Sequence, residues 1–248
     1  MALLAPGAPF EMAVEGVLGE PMQVFVQRDR SLRELLEHAG RFGDSDYAVF
    51  HDGGRRRVLT FADHERRVAS VAAAMADRGV AAGDRVAILA ANCPEWIVAF
   101  WATVSLGAVA VACNGWWTRD EIRHALAHTT PKLLVADAKR LARLEGADPG
   151  MPVVLIEDDF VDLESFAPDA VLPDVAIDED QPALLQFTSG TTGRPKAAVL
   201  SHRSLVAFVQ VVSFLGAAQA ASVWLPSVTY THLTLPTIAL ADTAVLDL

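Results

Sequence analysis

Short apolar segments of strand length alternate with helical segments between residues 61 and 156, and this alternation constrains the fold more than any other feature. Phe61 to Arg78 is predicted to be an amphipathic helix that begins after Thr60 and stops at Gly79. The predicted strands are Arg85–Ala90, Val109–Ala112, Lys132–Ala136 and Pro152–Ile156. Strands separated by helices are joined by right-handed crossovers. The pattern therefore predicts an α/β fold, a doubly wound, mostly parallel sheet with helices on both faces.

Capping signals mark where two of the intervening helices begin. Asn92 is predicted to cap a helix that has Pro94 in its first turn. Thr118 and Glu121 have the spacing of a capping box, for a helix that runs through His128.

Two segments depart from the alternation. Tyr47–Phe50 and Val58–Thr60 flank Gly53-Gly54, which predicts an antiparallel hairpin. Glu157–Asp180 contains ten acidic residues and no Lys or Arg. We expect this segment to be a solvated connection across the surface.

Net charge and cysteine spacing argue against nucleic-acid binding, a disulfide framework and a cysteine-based metal site. The chain has 248 residues, 31 acidic and 20 basic, for a net charge of −11. This balance removes the positive field that nucleic-acid binding needs, so no nucleic-acid partner is expected. Cys93 and Cys113 have neither disulfide-framework nor metal-ligand spacing, so no metal site is predicted. The N-terminus has no secretory signal pattern, and a cytoplasmic location is expected.

Two long uncharged runs leave a choice between membrane spans and buried core. Trp96–Cys113 and Ser204–Ala241 contain no Asp, Glu, Lys or Arg. Long uncharged runs can span a bilayer. Both runs are diluted with small and polar residues and broken by Gly or Pro, and no basic cluster flanks them. We expect buried core and no integral membrane segment.

A polar, glycine-containing loop lies between two apolar segments, Leu184–Phe187 and Ala197–Leu200, which are both predicted to be buried strands. Its hydroxyls, its glycines and a lysine ammonium are the groups that bind a polyphosphate. It is not a Walker A loop, because Lys196 is followed by an apolar strand. The candidate nucleotide-binding residues are Thr188, Ser189, Gly190, Thr191, Thr192, Gly193 and Lys196.

At these residues the sequence resembles the adenylate-forming superfamily, which includes acyl-CoA synthetases, peptide-synthetase adenylation domains and luciferases. Thr188–Lys196 matches that family's phosphate-loop motif [ST]SG[ST]TGxPK. Val199–Ser204 resembles its "VLSHRN" segment, and the resemblance covers most of residues 40 to 226. Cys113–Thr118 resembles acyl-CoA synthetases more than peptide synthetases.

The resemblance implies a two-step reaction. A carboxylic acid, expected to be a fatty acid, attacks the α-phosphate of ATP to give an acyl adenylate and pyrophosphate. Coenzyme A then displaces AMP to form a thioester, and Mg2+ accompanies the ATP. The candidate residues would hold the β- and γ-phosphates, while no catalytic residue is identified.

Later motifs of that family are missing from this sequence: a "YG.TE" segment, a ribose-binding aspartate, a hinge and a C-terminal lysine. We therefore expect residues 1–226 to be a partial N-terminal adenylation domain that is inactive alone. The alternative is a non-catalytic ATP-binding pseudoenzyme. Residues 227–248 match no pattern of the family, and Thr229–Thr237 resembles translated sequencing-adapter sequence, so a foreign tail is expected there. His202 is expected to be a packing residue and not a catalyst, and no role is expected for His232.

Overall fold

The computed structural model describes residues 2–52, 55–188, 195–216, 223–224 and 243–247. The strands are β1 (Met12–Val17), β2 (Glu20–Phe25), β3 (Asp46–Asp52), β4 (Arg55–Thr60), β5 (Arg85–Leu89), β6 (Val109–Ala112), β7 (Leu133–Ala136), β8 (Val153–Leu155), β9 (Pro182–Thr188), β10 (Lys196–Ser201), β11 (Val223–Trp224) and β12 (Thr243–Asp247). The α-helices are α1 (Leu32–Ala39), α2 (Phe61–Asp77), α3 (Pro94–Ser105), α4 (Arg119–Thr129), α5 (Ala138–Leu141), α6 (Phe160–Glu164) and α7 (His202–Gly216). Three 3-10 turns are Ala2–Leu4, Gly40–Phe42 and Ala142–Leu144.

The largest sheet has six strands in the order β10-β9-β6-β5-β7-β8. Its pairs are parallel from β9 through β8, and β10 runs antiparallel to β9 at the edge. This arrangement confirms the predicted α/β class with a mostly parallel sheet.

Both faces of this sheet are covered by helices. Val86 and Ile88 of β5 belong to the core cluster that also contains the buried residues of α2 and α3. Ala87 and Leu89, which alternate with them, pack in a second cluster with Ile122 and its neighbours on α4. Because successive strand residues point to opposite faces, the side chains of β5 pack into two separate hydrophobic cores, one on each face of the sheet. The doubly wound prediction is confirmed.

Helix boundaries follow local chemistry, with one correction. Thr60 caps α2 by accepting a hydrogen bond from the backbone N–H three residues on, and Gly79 terminates it at φ +83°. The cap of α3 is Cys93 and not Asn92, so that prediction was wrong. Pro94 occupies the first helical position and restricts the residue before it to extended backbone, which is where a cap must lie.

The first uncharged run forms buried structure. Trp96 through Ser105 are all buried within α3, and Val109–Ala112 forms a central strand. Within the part of the chain that the structure describes, no helix is both long and apolar enough to cross a membrane.

The acidic connection is more than a solvated segment, which corrects the prediction for Glu157–Asp180. It contains α6, whose Phe160 and Leu163 are buried. The Ser70 hydroxyl of α2 donates to the Leu163 carbonyl at 2.9 Å and accepts from the Ala167 N–H at 3.0 Å. A few apolar residues within an acidic run are enough to dock it on the core.

A second sheet has the order β11-β12-β3-β4. The antiparallel pairing of β3 with β4 confirms the predicted hairpin, and β12 pairs in parallel with β3. A separate antiparallel pair, β1 and β2, lies near the N-terminus.

Candidate functional site

The carboxyl ends of the parallel strands meet at one edge of the six-stranded sheet. The chain leaves β5 for α3 on one face of the sheet and leaves β6 for α4 on the other. In open α/β sheets, ligands bind outside the carboxyl ends, where neighbouring connections diverge in this way. This edge is therefore where the fold favours a ligand site.

Two of the candidate nucleotide-binding residues are described, and they face each other at this edge. Thr188 ends β9 and Lys196 begins β10, and the two are register partners. The Thr188 hydroxyl donates to the Lys196 carbonyl at 3.4 Å, and both residues are exposed. The other candidates, Ser189, Gly190, Thr191, Thr192 and Gly193, lie outside the described residues.

The strand after the loop is not buried as predicted. Val199 of β10 is 60% exposed, and Lys196 and Ala198 are exposed as well. Among the described strands, β10 lies at the end of the order and pairs only with β9. An apolar sequence predicts a strand but does not reveal whether elements cover it on both sides.

The loop between β6 and α4 packs beside the end of β9. The ring of Trp117 meets that of Phe187 edge-to-face, with centroids 5.0 Å apart. The guanidinium of Arg143 donates to the carbonyls of Gly115 at 2.6 Å and Trp117 at 3.0 Å. These contacts hold the loop, within which Trp116 is 78% exposed.

Asp137 connects the ends of β5 and β7, and sequence reasoning missed it. Its Oδ2 atom accepts from the Ala91 N–H at 2.8 Å and from the Arg140 guanidinium at 2.6 Å. Its Oδ1 atom accepts from the Arg140 N–H at 2.7 Å, which caps α5. An aspartate directly after an apolar strand and before a helix is the signal that could have identified it.

His202 has the structural role that the sequence suggests. It begins α7, is fully buried, and its Nδ1 atom accepts from the Leu32 N–H at 3.1 Å. Burial lowers its pKa to about 4, which keeps the imidazole neutral at physiological pH. A neutral, buried acceptor holds α7 against α1.

A network of ion pairs closes the opposite end of the β9–β10 hairpin. Arg28, whose side chain is 2% exposed, pairs with Glu15 at 2.7 Å and with Glu179 at 2.9 Å. Arg203 pairs with Glu179 at 2.7 Å and with Asp180 at 2.5 Å. We call these five residues the arginine clamp. It joins the β1–β2 hairpin to the residues that enter β9 and α7.

The carboxylates of the arginine clamp are held in the charged form. Burial alone would raise the pKa of Glu179, but hydrogen bonds from Arg28 and Arg30 outweigh it and leave the pKa lowered. The hydrogen bond from Arg203 lowers the pKa of Asp180. Because guanidinium groups stay protonated, the clamp is charged throughout the physiological range.

Among the residues the structure describes, no group of three or more His, Cys, Asp or Glu side chains is arranged to hold a metal ion. Both cysteines are free thiols, and burial raises the pKa of each.

Comparisons with known proteins agree with this geometry. The AMP-binding enzyme family matches residues 35–238. The chain is 37% identical over 174 residues to 4-coumarate–CoA ligase 2 of Oryza sativa subsp. japonica, covering 62% of this chain and 31% of that protein. It is 32% identical over 205 residues to acyl-CoA ligase sidI of Aspergillus fumigatus, covering 72% and 34%. The chain thus spans about a third of the length of these relatives.

Solved structures share the fold. The complex of VinN with L-aspartate superposes with a TM-score of 0.77 at 22% identity, covering 89% of this chain and 63% of that one. The N-terminal domain of FACL13 from Mycobacterium tuberculosis superposes with a TM-score of 0.76 at 21% identity, covering 89% and 57%. With the phosphate-loop signature between β9 and β10 and a family match over most of its length, the chain belongs to the AMP-binding enzyme family.

Proposed function

We propose that this chain supplies the ATP-binding part of a ligase that activates a carboxylic acid as its acyl adenylate and transfers the acyl group to coenzyme A. The observation that carries the proposal is the nine-residue loop signature whose two ends, Thr188 and Lys196, face each other at the carboxyl edge of the sheet. Ligase names among the relatives support the same reaction class.

The proposed loop chemistry uses three kinds of donor. Hydroxyls and backbone N–H groups of residues 188–193 would donate to the β- and γ-phosphate oxygens. The Lys196 ammonium would offset the charge that accumulates on the departing pyrophosphate. A carboxylate oxygen of the substrate forms the new bond to the α-phosphorus, and the bond to the bridging oxygen of pyrophosphate breaks. Mg2+ bound to the nucleotide would neutralise further phosphate charge.

We propose a carboxylic acid as the substrate class, and the fatty acid expected from sequence remains a prediction. The names of the relatives include 4-coumarate, acyl and OPC-8:0 as acyl groups. These groups differ in shape and share the carboxyl carbon at which activation occurs.

ATP binding tests the first half of the proposal. Calorimetric titration of the full 248-residue chain with ATP and Mg2+ is expected to show one saturable site. Lys196→Ala is expected to weaken binding roughly tenfold or more, because it deletes a charged hydrogen bond to phosphate. Lys132→Ala removes an exposed lysine at the amino end of β7, on the opposite edge of the sheet from the loop, and is the matched control. Equal affinities for the two variants would remove Lys196 from the site.

A turnover assay tests the second part of the proposal, which concerns catalysis by the chain. We propose that the 248-residue chain binds ATP but does not complete the reaction, since the later motifs of the resembled family are missing from its sequence. Exchange of labelled pyrophosphate into ATP, measured with coumarate and with a fatty acid, is expected to stay at background. Acid-dependent exchange would show that the chain catalyses adenylation on its own.

The origin of residues 227–248 decides between two hypotheses for this chain, a fragment of a longer ligase and a non-catalytic ATP-binding pseudoenzyme. We propose that residues 1–226 are part of a longer adenylation domain and that the following tail is foreign. Sequencing the source locus through the codon for Pro226 is expected to reveal a frame that continues into the missing motifs. A locus that reads through to Leu248 as given would favour the ATP-binding pseudoenzyme.

A further inference from the structure

Two histidines lie one turn apart on α4, on the opposite side of the sheet from α2 and α3. The rings of His124 and His128 are stacked, with centroids 5.8 Å apart and planes inclined by 15°. His124 is half-buried and His128 is exposed, whereas Ile122, Ala125 and Leu126 of the same helix are buried. The pair thus lies beside the buried stripe of the helix, within reach of solvent.

From this geometry we propose that His124 and His128 form a binding site for a transition-metal dication, with Zn2+ as its representative. Neutral imidazole is a ligand for Zn2+, Cu2+ and Ni2+, and residues at i and i+4 share one face of a helix. Two imidazole nitrogens that bind one Zn2+ at about 2.0–2.1 Å lie roughly 3.4 Å apart at a tetrahedral angle. The two rings lie nearly parallel with centroids 5.8 Å apart, so binding one ion requires the rings to turn about χ2, which is a broad torsion in histidine.

Side-chain hydrogen bonds at both ends of α4 stabilise the helix that carries the two histidines. At the start of α4, the Thr118 N–H and hydroxyl both donate to the Glu121 carboxylate, at 2.7 and 2.8 Å. At its end, the Thr129 hydroxyl donates to the Ala125 carbonyl at 2.7 Å. A helix held at both ends presents the two imidazoles with little ordering left to be lost on binding.

The site provides two protein ligands, and water completes the coordination. Within the described ranges no third His, Cys, Asp or Glu side chain converges with the pair. Hard cations such as Mg2+ and Ca2+ prefer oxygen ligands, so this site is expected to discriminate against the ion that accompanies ATP.

Zn2+ titration of the chain tests the proposal. The purified, untagged 248-residue chain is treated with a chelator and titrated with Zn2+ against a chromogenic competitor. One equivalent is expected to bind at this site. His124→Ala and His128→Ala are each expected to weaken that binding by roughly tenfold or more, since even outer partners of metal ligands are worth that much. The double variant is expected to bind no Zn2+ at this site, because both imidazoles are gone.

The matched control is His38→Ala, which removes an exposed histidine already paired with Asp29 at 2.5 Å. It is expected to leave Zn2+ affinity unchanged. Alanine is the best helix former, so the α4 variants are expected to keep the circular dichroism of the parent. Zn2+ is also expected to raise the Tm of the parent and not that of the double variant, because binding to the folded state stabilises it. Unchanged affinity in both α4 single variants, or equal loss in His38→Ala, would overturn the site.

Discussion

The indole Nε1–H of Trp101 donates to the phenolic oxygen of Tyr47 at 3.1 Å, inside the core between α3 and β3. The Tyr47 ring also stacks on His64, with centroids 4.3 Å apart. All three side chains are almost wholly removed from solvent. This cluster joins the six-stranded sheet's helical layer to the smaller sheet.

Tyr47→Phe is predicted to destabilise the chain by about 1–3 kcal/mol, because it leaves the buried Trp101 N–H without an acceptor. Urea unfolding followed by circular dichroism measures the change. Trp101→Phe removes the donor as well as packing volume. The double variant is expected to lose less than the sum of the two singles, since the hydrogen bond can be lost only once. Strict additivity would contradict an energetic link between the two residues.

His64 is predicted to make stability fall as the pH falls below about 6.5. Burial, followed by the charge of Arg67, lowers its pKa to about 3. Both ring nitrogens lack a hydrogen-bond partner among the described residues. Between pH 6.5 and 3, His64 is therefore protonated in the unfolded chain and neutral in the folded chain. The free energy of unfolding decreases as the pH falls through this range.

His64→Phe is expected to reduce this loss while retaining the ring contact with Tyr47. Its Tm is predicted to fall less than that of the parent between pH 7 and pH 4.5, measured by thermal melts at matched ionic strength. His202, with its pKa lowered to about 4, contributes a similar acid sensitivity that remains in the variant. Parallel Tm profiles for the parent and His64→Phe would show that His64 does not titrate differently on unfolding.

Two arginines contact Glu179 of the arginine clamp from the same segment, and their burial decides the stability lost when each guanidinium is removed. Arg28 has a 2% exposed side chain, and its neighbour Arg30, which also contacts Glu179, is 51% exposed. Arg28→Ala is predicted to cost about 1.5–3 kcal/mol, because it removes the buried charged donor that Glu15 and Glu179 share, while Arg203 still pairs with Glu179. Arg30→Ala is predicted to cost less than about 1 kcal/mol.

Denaturant titrations of the two variants test this contrast. Arg28→Lys is expected to recover only part of the stability, because an ammonium cannot reproduce the forked contacts to Glu15 and Glu179. Similar losses for Arg28→Ala and Arg30→Ala would mean that burial does not set the strength of these pairs.

Two left-handed glycines give a matched test of packing space. Gly107 (φ +68°) precedes β6, and an added Cβ there would lie 3.3 Å from the Cβ of Ala82 and 3.4 Å from the Gln181 amide nitrogen. Gly83 (φ +81°) has nothing within 4 Å of such a Cβ. Gly83→Ala is predicted to cost about 1–2 kcal/mol from backbone strain alone. Gly107→Ala is predicted to cost more, as measured by urea unfolding, and the reverse order would contradict the tight approach.

Sequence patterns predicted the helices and strands better than they predicted the burial of those elements and their tertiary contacts. The alternating apolar runs identified β5 through β8, because strand length and the helices between them are properties of local sequence. The positions of Asn92 and Cys93 could be told apart only by the strong constraint that Pro94 imposes on its predecessor. The exposure of β10 depends on which elements cover it, and α6 depends on two buried residues within an acidic run. Neither property is encoded in the segment itself.

The candidate site divides in the same way. Thr188 and Lys196 were identified from a dense local motif, and the structure adds that they are register partners. Asp137 was not identified, because its role comes from a contact with the Ala91 N–H, 46 positions away along the chain. A local motif indicates candidate ligand-binding residues. Tertiary structure is needed to identify the residues whose contacts stabilise the loops at the carboxyl edge of the sheet.

The Arg28–Glu179 contact spans 151 positions along the chain. At a synthesis rate of about 5–20 residues per second, Arg28 leaves the ribosome roughly 8–30 seconds before its partner does. During that interval the β1–β2 hairpin can use only Glu15 to neutralise the guanidinium. Arg28 therefore gains its second carboxylate only when the connection before β9 has been made, and a ribosome that stalls before residue 179 leaves the hairpin without that ion pair.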